Sequence, residues 1–557
     1  MEIYVADFET SHETIDEKEY AWVWCAGFSR LFNEHIERQG NIADFCSLLM
    51  QNRSKKVYFH NLKFDGQFLL SYFFNLGYQY SEYLTKEKQM KYIIDEFGTF
   101  YALIVSFKNN QGKIKTVTFL DSMKIYPYSL KVVAKQFGFQ EQKGEMNYEL
   151  LRKPNHEMTA DEIEYFRKDI VILRKAMEQA YLKGLKKMTI GANALADYTS
   201  IIGKQNFKII FPKIPKHIDE FCRKAYKGGC CMVAEKYANK IVPTYSYDIN
   251  SHYPTQLRYQ PMPYGTPKYF KGKFAGDKDK LYIQHLACSF NLKPNKLPCI
   301  QLKNTMMFAK NEWIKHCNYK MDLYLTNVDL ELFFENYDVY DITYYDGYEF
   351  KAITGLFDEY IDKWYSIKMN TTDKGERAFS KLFINNIYGK FGTSPQRNSL
   401  RYELQGGVVK RCDCVKEEVS TIYLPVAIWT TAYGRAILLR HAQSQIEDFV
   451  YCDTDSIHFT KPAKYLPIDN KKLGYFKYEY YGLGKHIKQK TYIIHKQEEG
   501  GQQVDTWDIK CAGLNQDLID KSQISFDMFH LGATFNKLKT KRVIGGVYLF
   551  KDIHTIK

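Results

Sequence analysis

YCDTDS, Tyr451 to Ser456, follows an apolar, helix-like run and leads into Ile457, His458 and Phe459. The stretch reads as a β-hairpin with two carboxylates, Asp453 and Asp455, one residue apart in its bend. Residues two apart on a strand project to the same side, so both acids can converge on one point. Like charges held that close repel, and a bound cation relieves the repulsion. Hard oxygen ligands favour Mg²⁺ or Mn²⁺ over zinc. The alternative is a solvated Asx-type turn, because Asp and Thr are ordinary turn residues. The choice depends on the rest of the chain.

That chain has 557 residues, too many for one core, which predicts three or more domains or subdomains. Its composition is globular, with 45% hydrophobic and 25% charged residues. Lys and Arg outnumber Asp and Glu by 78 to 64, a net charge of +14 that favours an anionic partner. The 45 Tyr and 37 Phe could stack on bases while neighbouring cations meet phosphates, or simply fill a Tyr-rich fold. The 12 Cys are scattered, with Cys230-Cys231 adjacent, Cys412-x-Cys414 close, and no CxxC partner at zinc-site spacing. Reduced thiols in a cytosolic protein are therefore expected. MEIYVADFET begins with strand-like alternation and lacks the basic and apolar regions of a signal peptide. No run of eighteen apolar residues suggests a membrane span.

A first carboxylate cluster lies in the N-terminal third. Asp7 and Glu9 share one face of the opening strand, repeating the geometry of YCDTDS. VYFHNLKFDGQFLL reads as a strand, then His60 and Asn61, then Asp65 just ahead of an apolar helix. TADEIEYFRKDIVILRKAMEQAYLKGL is an amphipathic helix with Thr159 as its cap and Glu162 three residues on. Tyr165 and Asp169 lie four apart on it, hence on one face. A two-metal nuclease needs three or four carboxylates from separate elements and a group that orients the attacking water. Asp7, Glu9, Asp65 and Asp169 meet the first need and Tyr165 the second; a helix cap at Asp65 and an exposed pair at Tyr165/Asp169 are the plainer readings.

A second cluster completes the hairpin. TYSYDINSHYP, residues 244 to 254, is a strand carrying Asp248, a third acid from a distant part of the chain. Three acids on adjacent strand ends make a site for a metal-bound triphosphate. Between them, in GERAFSKLFINNIYGKFG (375 to 392), Arg377, Lys381, Asn385 and Tyr388 fall at i, i+4, i+8 and i+11, one stripe opposite Phe379, Leu382, Phe383 and Ile387. Such a stripe is either a solvated face or a track for a nucleotide, with the cations on phosphates and Tyr388 stacked on a base.

The first set resembles the 3′-5′ proofreading exonuclease of family B DNA polymerases: DxE as Asp7 and Glu9, Nx₂₋₃(F/Y)D as Asn61, Phe64 and Asp65, and Yx₃D as Tyr165 and Asp169. Over essentially its full length the chain is similar to the protein-primed family B DNA polymerases of small tailed bacteriophages, the phi-twenty-nine type. The palm motif stands as DINSHYP, the fingers motif as KLFINNIYG and the second palm motif as YCDTDS. Around them are YKGG (Tyr226, Gly228, Gly229), TGLFDEYIDKW (354 to 364), TAYGR (431 to 435), KTY (490 to 492), KCAG (510 to 513) and a terminal GGV…TIK. Short motifs have many false positives singly; this many in order do not.

The resemblance implies an α+β multidomain protein: an RNase H-like 3′-5′ exonuclease domain followed by a right-hand polymerase of palm, fingers and thumb with two insertions. Its boundaries are expected at 1–187 for the exonuclease, 188–259 for the first part of the palm and 260–355 for an insertion that binds a terminal protein. The fingers follow at 356–392, a second insertion for strand displacement and processivity at 393–424, the second part of the palm at 425–511 and the thumb at 512–557. In the nuclease it assigns a catalytic role to Lys143 and single-strand contacts to Thr10, His60, Asn61, Phe64 and Ser122, with Met123 where the family usually has Leu. In the polymerase, Asp248, the carbonyl of Ile249 and Asp455 would bind two Mg²⁺ ions, with Mn²⁺ as a substitute, and Asp453 would support that site. Lys381, Lys368 and Arg377 would take the phosphates. Tyr253 would lie under the sugar and exclude a 2′-hydroxyl, and Asn385 and Tyr388 would meet the nascent base pair. Tyr226, Gly228, Gly229, Thr431, Arg435, Lys490 and Tyr492 would contact DNA, the last pair at the primer terminus. Two departures stand out: His252 replaces the Leu of SLYP, and Asn386 the Ser of NSxYG.

The implied function is a replicative DNA-directed DNA polymerase with proofreading, protein-primed, processive and strand-displacing. Its implied partners are primer-template DNA, dNTPs, a phage terminal protein and a single-stranded-DNA-binding protein, in the cytoplasm of a bacterial host and without a membrane. Two alternatives stay open: the same chemistry started from nucleic acid or de novo, and a catalytically silent DNA-binding protein on a polymerase scaffold.

Overall fold

A computed structural model describes residues 1–144, 146–148, 150–303, 311–511, 513–514 and 524–556; Ala512 and Lys557 of the motifs above lie outside these. The first unit is an eight-stranded mixed sheet made by β1 (Glu2–Ile15), β2 (Lys18–Arg30), β3 (Ile36–Gln39), β4 (Lys55–Phe59), β5 (Gln79–Tyr80), β6 (Gln89–Ile94), β7 (Phe100–Lys108) and β8 (Ile114–Asp121). Its order is β3-β2-β1-β4-β8-β7-β6-β5, with β1, β4 and β8 parallel at the centre, which is the layout expected of an RNase H-like domain. Helices α1 (Ile42–Leu49), α2 (Leu62–Asn75), α3 (Leu130–Phe137) and α4 (Ala160–Leu182) accompany the sheet. The start of α4 is a capping box: Thr159 Oγ1 accepts the Glu162 N–H at 3.3 Å, and Glu162 Oε2 accepts the Thr159 N–H at 2.9 Å. Asp65 sits inside the first turn of α2 rather than ahead of it, because α2 begins at Leu62.

Helices α5 (Ile190–Ile202), α6 (Lys204–Ile210) and α7 (Lys216–Ala225) lead to β9 (Cys231–Val233), β10 (Ile241–Ile249) and α8 (His252–Tyr259). A four-stranded sheet, order β11-β16-β12-β15, follows from β11 (Met262–Lys271), β12 (Leu281–Leu292), β15 (His316–Thr326) and β16 (Tyr337–Ile353). It carries the short pair β13 (Gln301–Lys303) and β14 (Asn311–Trp313), and α9 (Asn327–Asn336). Next come the paired helices α10 (Asp358–Asn370) and α11 (Lys374–Phe391), the hairpin β17 (Gln396–Gln405) and β18 (Val408–Glu418), and α12 (Leu424–Gln443). Helix α12 is buried on nearly every side, as a helix apolar all round must be.

The last strands are β19 (Phe449–Asp453), β20 (Ser456–Phe459), β21 (Phe476–Lys488), β22 (Thr491–Glu499), β23 (Gln502–Cys511), β24 (Thr534–Val543) and β25 (Gly546–Thr555). They complete a seven-stranded sheet, β23-β22-β21-β10-β20-β19-β9, in which β10 and the β19–β20 hairpin become neighbours although some 200 residues separate them. The β17–β18 and β24–β25 hairpins both return to the first sheet. Ile544 bridges to Tyr20 and to Val408, and Ser399 to Asp95. Gly545 permits this approach: its φ is +87°, and a Cβ there would lie 2.4 Å from the Ala21 carbonyl oxygen. All 12 cysteines are free thiols. Among the described residues no helix is long and apolar enough to cross a membrane.

Candidate functional site

Two carboxylate centres emerge, one in each large sheet. In the first, β1 delivers Asp7 and Glu9 and α4 delivers Asp169, and ligand oxygens of the three lie within 4.8 Å of one another. Among the described residues this is the one group of three or more side chains so placed. Asp65 lies outside that group, but its carboxyl is pushed well up, first by burial and then by the charge of Asp7. Burial and Asp169 raise Asp7 to about 7, and burial and Asp7 push Glu9 well up. Lys143 Nζ donates to Asp169 Oδ2 at 2.7 Å, whereas Asp169 Oδ1 is buried without a partner. An all-oxygen donor set with repelling charges and an orphaned carboxylate oxygen fits a hard divalent cation.

Tyr165, on the same face of α4 as Asp169, meets Tyr148 hydroxyl to hydroxyl at 2.8 Å, under the Lys143 ammonium. Tyr148 was not foreseen, although it stands in the same QKGEMNY stretch as Lys143. The expected single-strand contacts divide. Thr10 follows a register shift in β1; Asn61 is exposed with φ +73°; Phe64 and Met123 are half-buried. Ser122 is fully buried and its hydroxyl meets His60 Nδ1 at 2.9 Å, so it supports His60 instead of facing a strand itself. His60 Nε2 is bound in turn to the Tyr128 carbonyl at 2.8 Å. Asp121, another unforeseen group, accepts the N–H groups of Asn61 and Met123 at 3.1 and 3.0 Å and so shapes this wall. Its only sequence signal is an acid closing the apolar strand TVTFLD.

The second centre lies where β10 runs between β20 and β21, with Asp248 opposite Ser456 and Lys477. Thr454 turns the β19–β20 bend at φ +60°, its N–H donating to the Cys230 carbonyl at 2.7 Å. The two acids of the bend have different partners. Lys490 Nζ bonds both oxygens of Asp453, at 2.9 and 2.8 Å, and neutralises it. Asp248 and Asp455 carry the strain of burial: Asp248 rises to about 8, through burial, Asp455 and the unforeseen Glu479, and Asp455 to about 6, through burial and Asp453. The Ile249 N–H donates to the Asp455 carbonyl at 2.8 Å, linking the two strand ends.

A carboxyl whose folded pKa is raised supports the fold at low pH, and that support is lost as pH climbs through the folded value. Metal-free protein is expected to lose thermal stability from about pH 4, the ordinary aspartate value, to about pH 8, the window set by Asp455, Asp7 and Asp248. Mg²⁺ is expected to raise Tm more at about pH 8 than at about pH 6, because protons compete for the same oxygens. Thermal-shift scans with EDTA or Mg²⁺ measure this; equal Mg²⁺ shifts at both pH values would contradict it.

Helix α11 presents the stripe beside this centre. Arg377, Lys381 and Asn385 are exposed and Tyr388 half-buried, whereas Phe379, Leu382, Phe383 and Ile387 are buried. Lys368 from α10 reaches Ser251 Oγ at 3.1 Å, and its ammonium pKa is lowered by burial and by Lys381. Crowded cations beside two strained acids are a ready seat for a metal-bound polyphosphate. Tyr253, on α8, lies 4.4 Å from Tyr388 between ring centroids. A Cβ on Gly229 would fall 2.7 Å from Thr454 Oγ1 and 2.9 Å from the Tyr253 hydroxyl, so only glycine lets YKGG come this close. Tyr226 packs likewise on Gly392, 2.6 Å from where its Cβ would be.

Two expected DNA contacts are corrected. Thr431 is buried and its hydroxyl bonds its own helix at Ala427 and Ile428. Arg435 is 6% exposed and spent inside the protein: it forks onto Asp329 of α9 at 2.8 and 2.9 Å and donates to the Lys227 and Gly228 carbonyls at 2.7 and 2.8 Å. It ties the insertion, α12 and YKGG together. Tyr492 is half-buried against Tyr451 and His486. Arg435→Met would leave the Asp329 charge buried and unpaired, at an expected cost of about 3–5 kcal/mol. A fall in Tm that Asp329→Leu in the same chain largely restores is the expected result; unchanged Tm with weaker DNA binding would return Arg435 to a direct DNA contact.

Comparison with known proteins follows the same outline. A family model described as DNA polymerase type B, organellar and viral, matches residues 46–155 and 150–472. The DNA polymerase of Bacillus phage B103 is 34% identical over 581 aligned positions, covering 100% of this chain and 99% of that one. Phi29 DNA polymerase in an orthorhombic crystal form superposes with a TM-score of 0.94 at 31% identity, covering 100% of both chains. The same polymerase complexed with primer-template DNA and incoming nucleotide substrates gives 0.92 at 32% identity, again covering 100% of both.

Proposed function

Because the chain belongs to the organellar and viral type B DNA polymerases and is a DNA-directed DNA polymerase, we propose that it both extends and proofreads a primer, at two separate two-metal centres. The observation that carries the reading is the pairing of strained acids, Asp248 and Asp455, with the Lys368–Lys381 stripe.

Asp248, Asp455 and the Ile249 carbonyl would hold two Mg²⁺ or Mn²⁺ ions, and Asp7, Glu9, Asp65 and Asp169 a second pair. When bound, such ions lower the pKa of the attacking oxygen and neutralise charge on the phosphate and leaving group. Lys381, Lys368 and Arg377 bind the triphosphate of an incoming dNTP. Tyr253 takes the face of the sugar, and Tyr388 and Asn385 the base pair. Lys490 neutralises Asp453 and so keeps one acid out of the metal set, and with Tyr492 it steadies the primer terminus. In the nuclease, Lys143 holds Asp169 and Tyr165 orients the attacking water, with Thr10, His60, Asn61, Phe64 and Met123 along the strand.

We further propose the finer family properties for this chain: initiation on a hydroxyl of a terminal protein docked on residues 260–355, strand displacement, a single-stranded-DNA-binding partner, and action in the cytoplasm of a bacterial host as a phage-encoded enzyme. The β17–β18 hairpin, braced on the first sheet and near β24–β25, suits a clamp on DNA. Deleting residues 398 to 418 is expected to shorten products per binding event while leaving single-nucleotide addition; unchanged processivity would remove the clamp. The direct test of the proposed function is a primed single-stranded circle with Mg²⁺ and dNTPs. Product longer than the circle supports it, and an initiation assay with a candidate terminal protein separates protein priming from the alternatives.

A further inference from the structure

His252 is buried beside the proposed nucleotide seat, and its ring is held from two sides. Its Nε2 lies 3.1 Å from the Gly434 carbonyl oxygen of α12, so that nitrogen carries the proton and donates it. Gly434 is bare where the two elements meet: a Cβ there would fall 2.9 Å from His252 Nε2 and 3.0 Å from Tyr253 Cε1. Both rings therefore bear on one spot of α12. The rings are tilted 31° to each other with centroids 5.5 Å apart, and the Tyr388 ring centroid lies 4.4 Å from that of Tyr253. Gly229 borders the Tyr253 hydroxyl. Tyr253 is thus enclosed by His252, Gly434, Tyr388 and Gly229, and of these only His252 is anchored to α12 by a side-chain hydrogen bond.

The anchor comes with unmet polarity. His252 Nδ1 and Gln256 Oε1, one turn apart on α8, are buried without partners, and the Gln256 amide is used on the His252 carbonyl at 3.1 Å. A leucine would fill the space without an orphaned nitrogen. What the imidazole adds over an aliphatic chain is the bond to Gly434. We propose that His252 is a positioning residue that fixes the height and tilt of Tyr253, and thereby sets how strictly the polymerase distinguishes deoxyribose from ribose in the incoming nucleotide. This rests on the proposed place of Tyr253 at the sugar.

The test compares single-nucleotide insertion of dATP and ATP by the full-length chain on a primer-template with Mg²⁺, for wild type, His252→Leu, His252→Gln and Tyr253→Val. His252→Leu is expected to lower the dATP/ATP ratio of kcat/KM about three- to tenfold, the range spanned by one net hydrogen bond, mainly through a lower KM for ATP. Its Tm should stay level or rise, since the orphaned nitrogen is gone. His252→Gln, whose amide can reach the Gly434 carbonyl, should restore most of the ratio. Selectivity unchanged in His252→Leu while Tyr253→Val relaxes it would overturn the role of His252 alone. A Tyr253→Val chain as selective as wild type would overturn the sugar contact and this inference with it. Loss of Tm and of dATP insertion together in both His252 variants would make the residue merely structural, and also overturns the proposal.

Discussion

Asp455→Ala is expected to reduce nucleotide addition by at least about 10³-fold, roughly 4 kcal/mol of transition-state stabilisation, while 3′-end degradation by the same preparation continues at its normal rate. The size follows from what the residue lacks. Asp453 has Lys490 as a counter-charge, but Asp455 is half-buried, raised to about 6, and offset by a backbone hydrogen bond and, from a distance, by Lys490 and Lys381. A carboxylate held in that state costs stability unless it serves a cation, so Asp455→Ala should leave Tm level or higher. Gel assays of a labelled primer, with and without dNTPs, read both activities. Parallel loss of extension and degradation would indicate a folding defect or a shared site.

The converse substitution, Asp169→Ala, is expected to reduce 3′-end degradation by a similar factor, about 10³-fold, and to leave extension intact. Asp169 belongs to the cluster with Asp7 and Glu9 and its Oδ2 accepts from Lys143, so its removal opens the metal set and releases the ammonium together. Lys143 is one-third exposed and can be solvated, which keeps the structural cost small. Product lengths on mismatched primers, where excision must precede extension, give the sharpest readout: the variant should stall or extend the mismatch. Normal excision by Asp169→Ala would sink the nuclease assignment.

The parts of this architecture that were legible in the sequence are those set by local rules. The Thr159–Glu162 capping box is a four-residue pattern, and the structure forms it as read. The α11 stripe is a 3.6-residue period, and its exposed and buried faces fall as counted. Paired acids on strands, Asp7 with Glu9 and Asp248 near Asp455, announced two centres because such acids are rare on apolar strands. Several of the misreadings concern partners chosen at long range. Arg435 looked like a DNA ligand, yet Asp329, 106 residues away, holds it. Asp453, expected to support the metal site without joining it, is paired with Lys490, 37 residues on, a partner that no local pattern announced. Ser122 and Thr431 carry hydroxyls that a motif offers to DNA, but packing turned them inward. No periodicity marks the return of the β17–β18 and β24–β25 hairpins to the first sheet, which depends on a glycine at the contact.

One measurement bears on both centres at once. Given a primer-template and only the dNTP that matches the terminal template position, labelled in its base, a chain with both activities adds and removes the same nucleotide repeatedly. Steady release of labelled dNMP, abolished by either Asp455→Ala or Asp169→Ala, is the predicted result. Pyrophosphate release without dNMP would show that the Asp7, Glu9 and Asp169 cluster does not excise, and release of neither would show that Asp248 and Asp455 do not support addition.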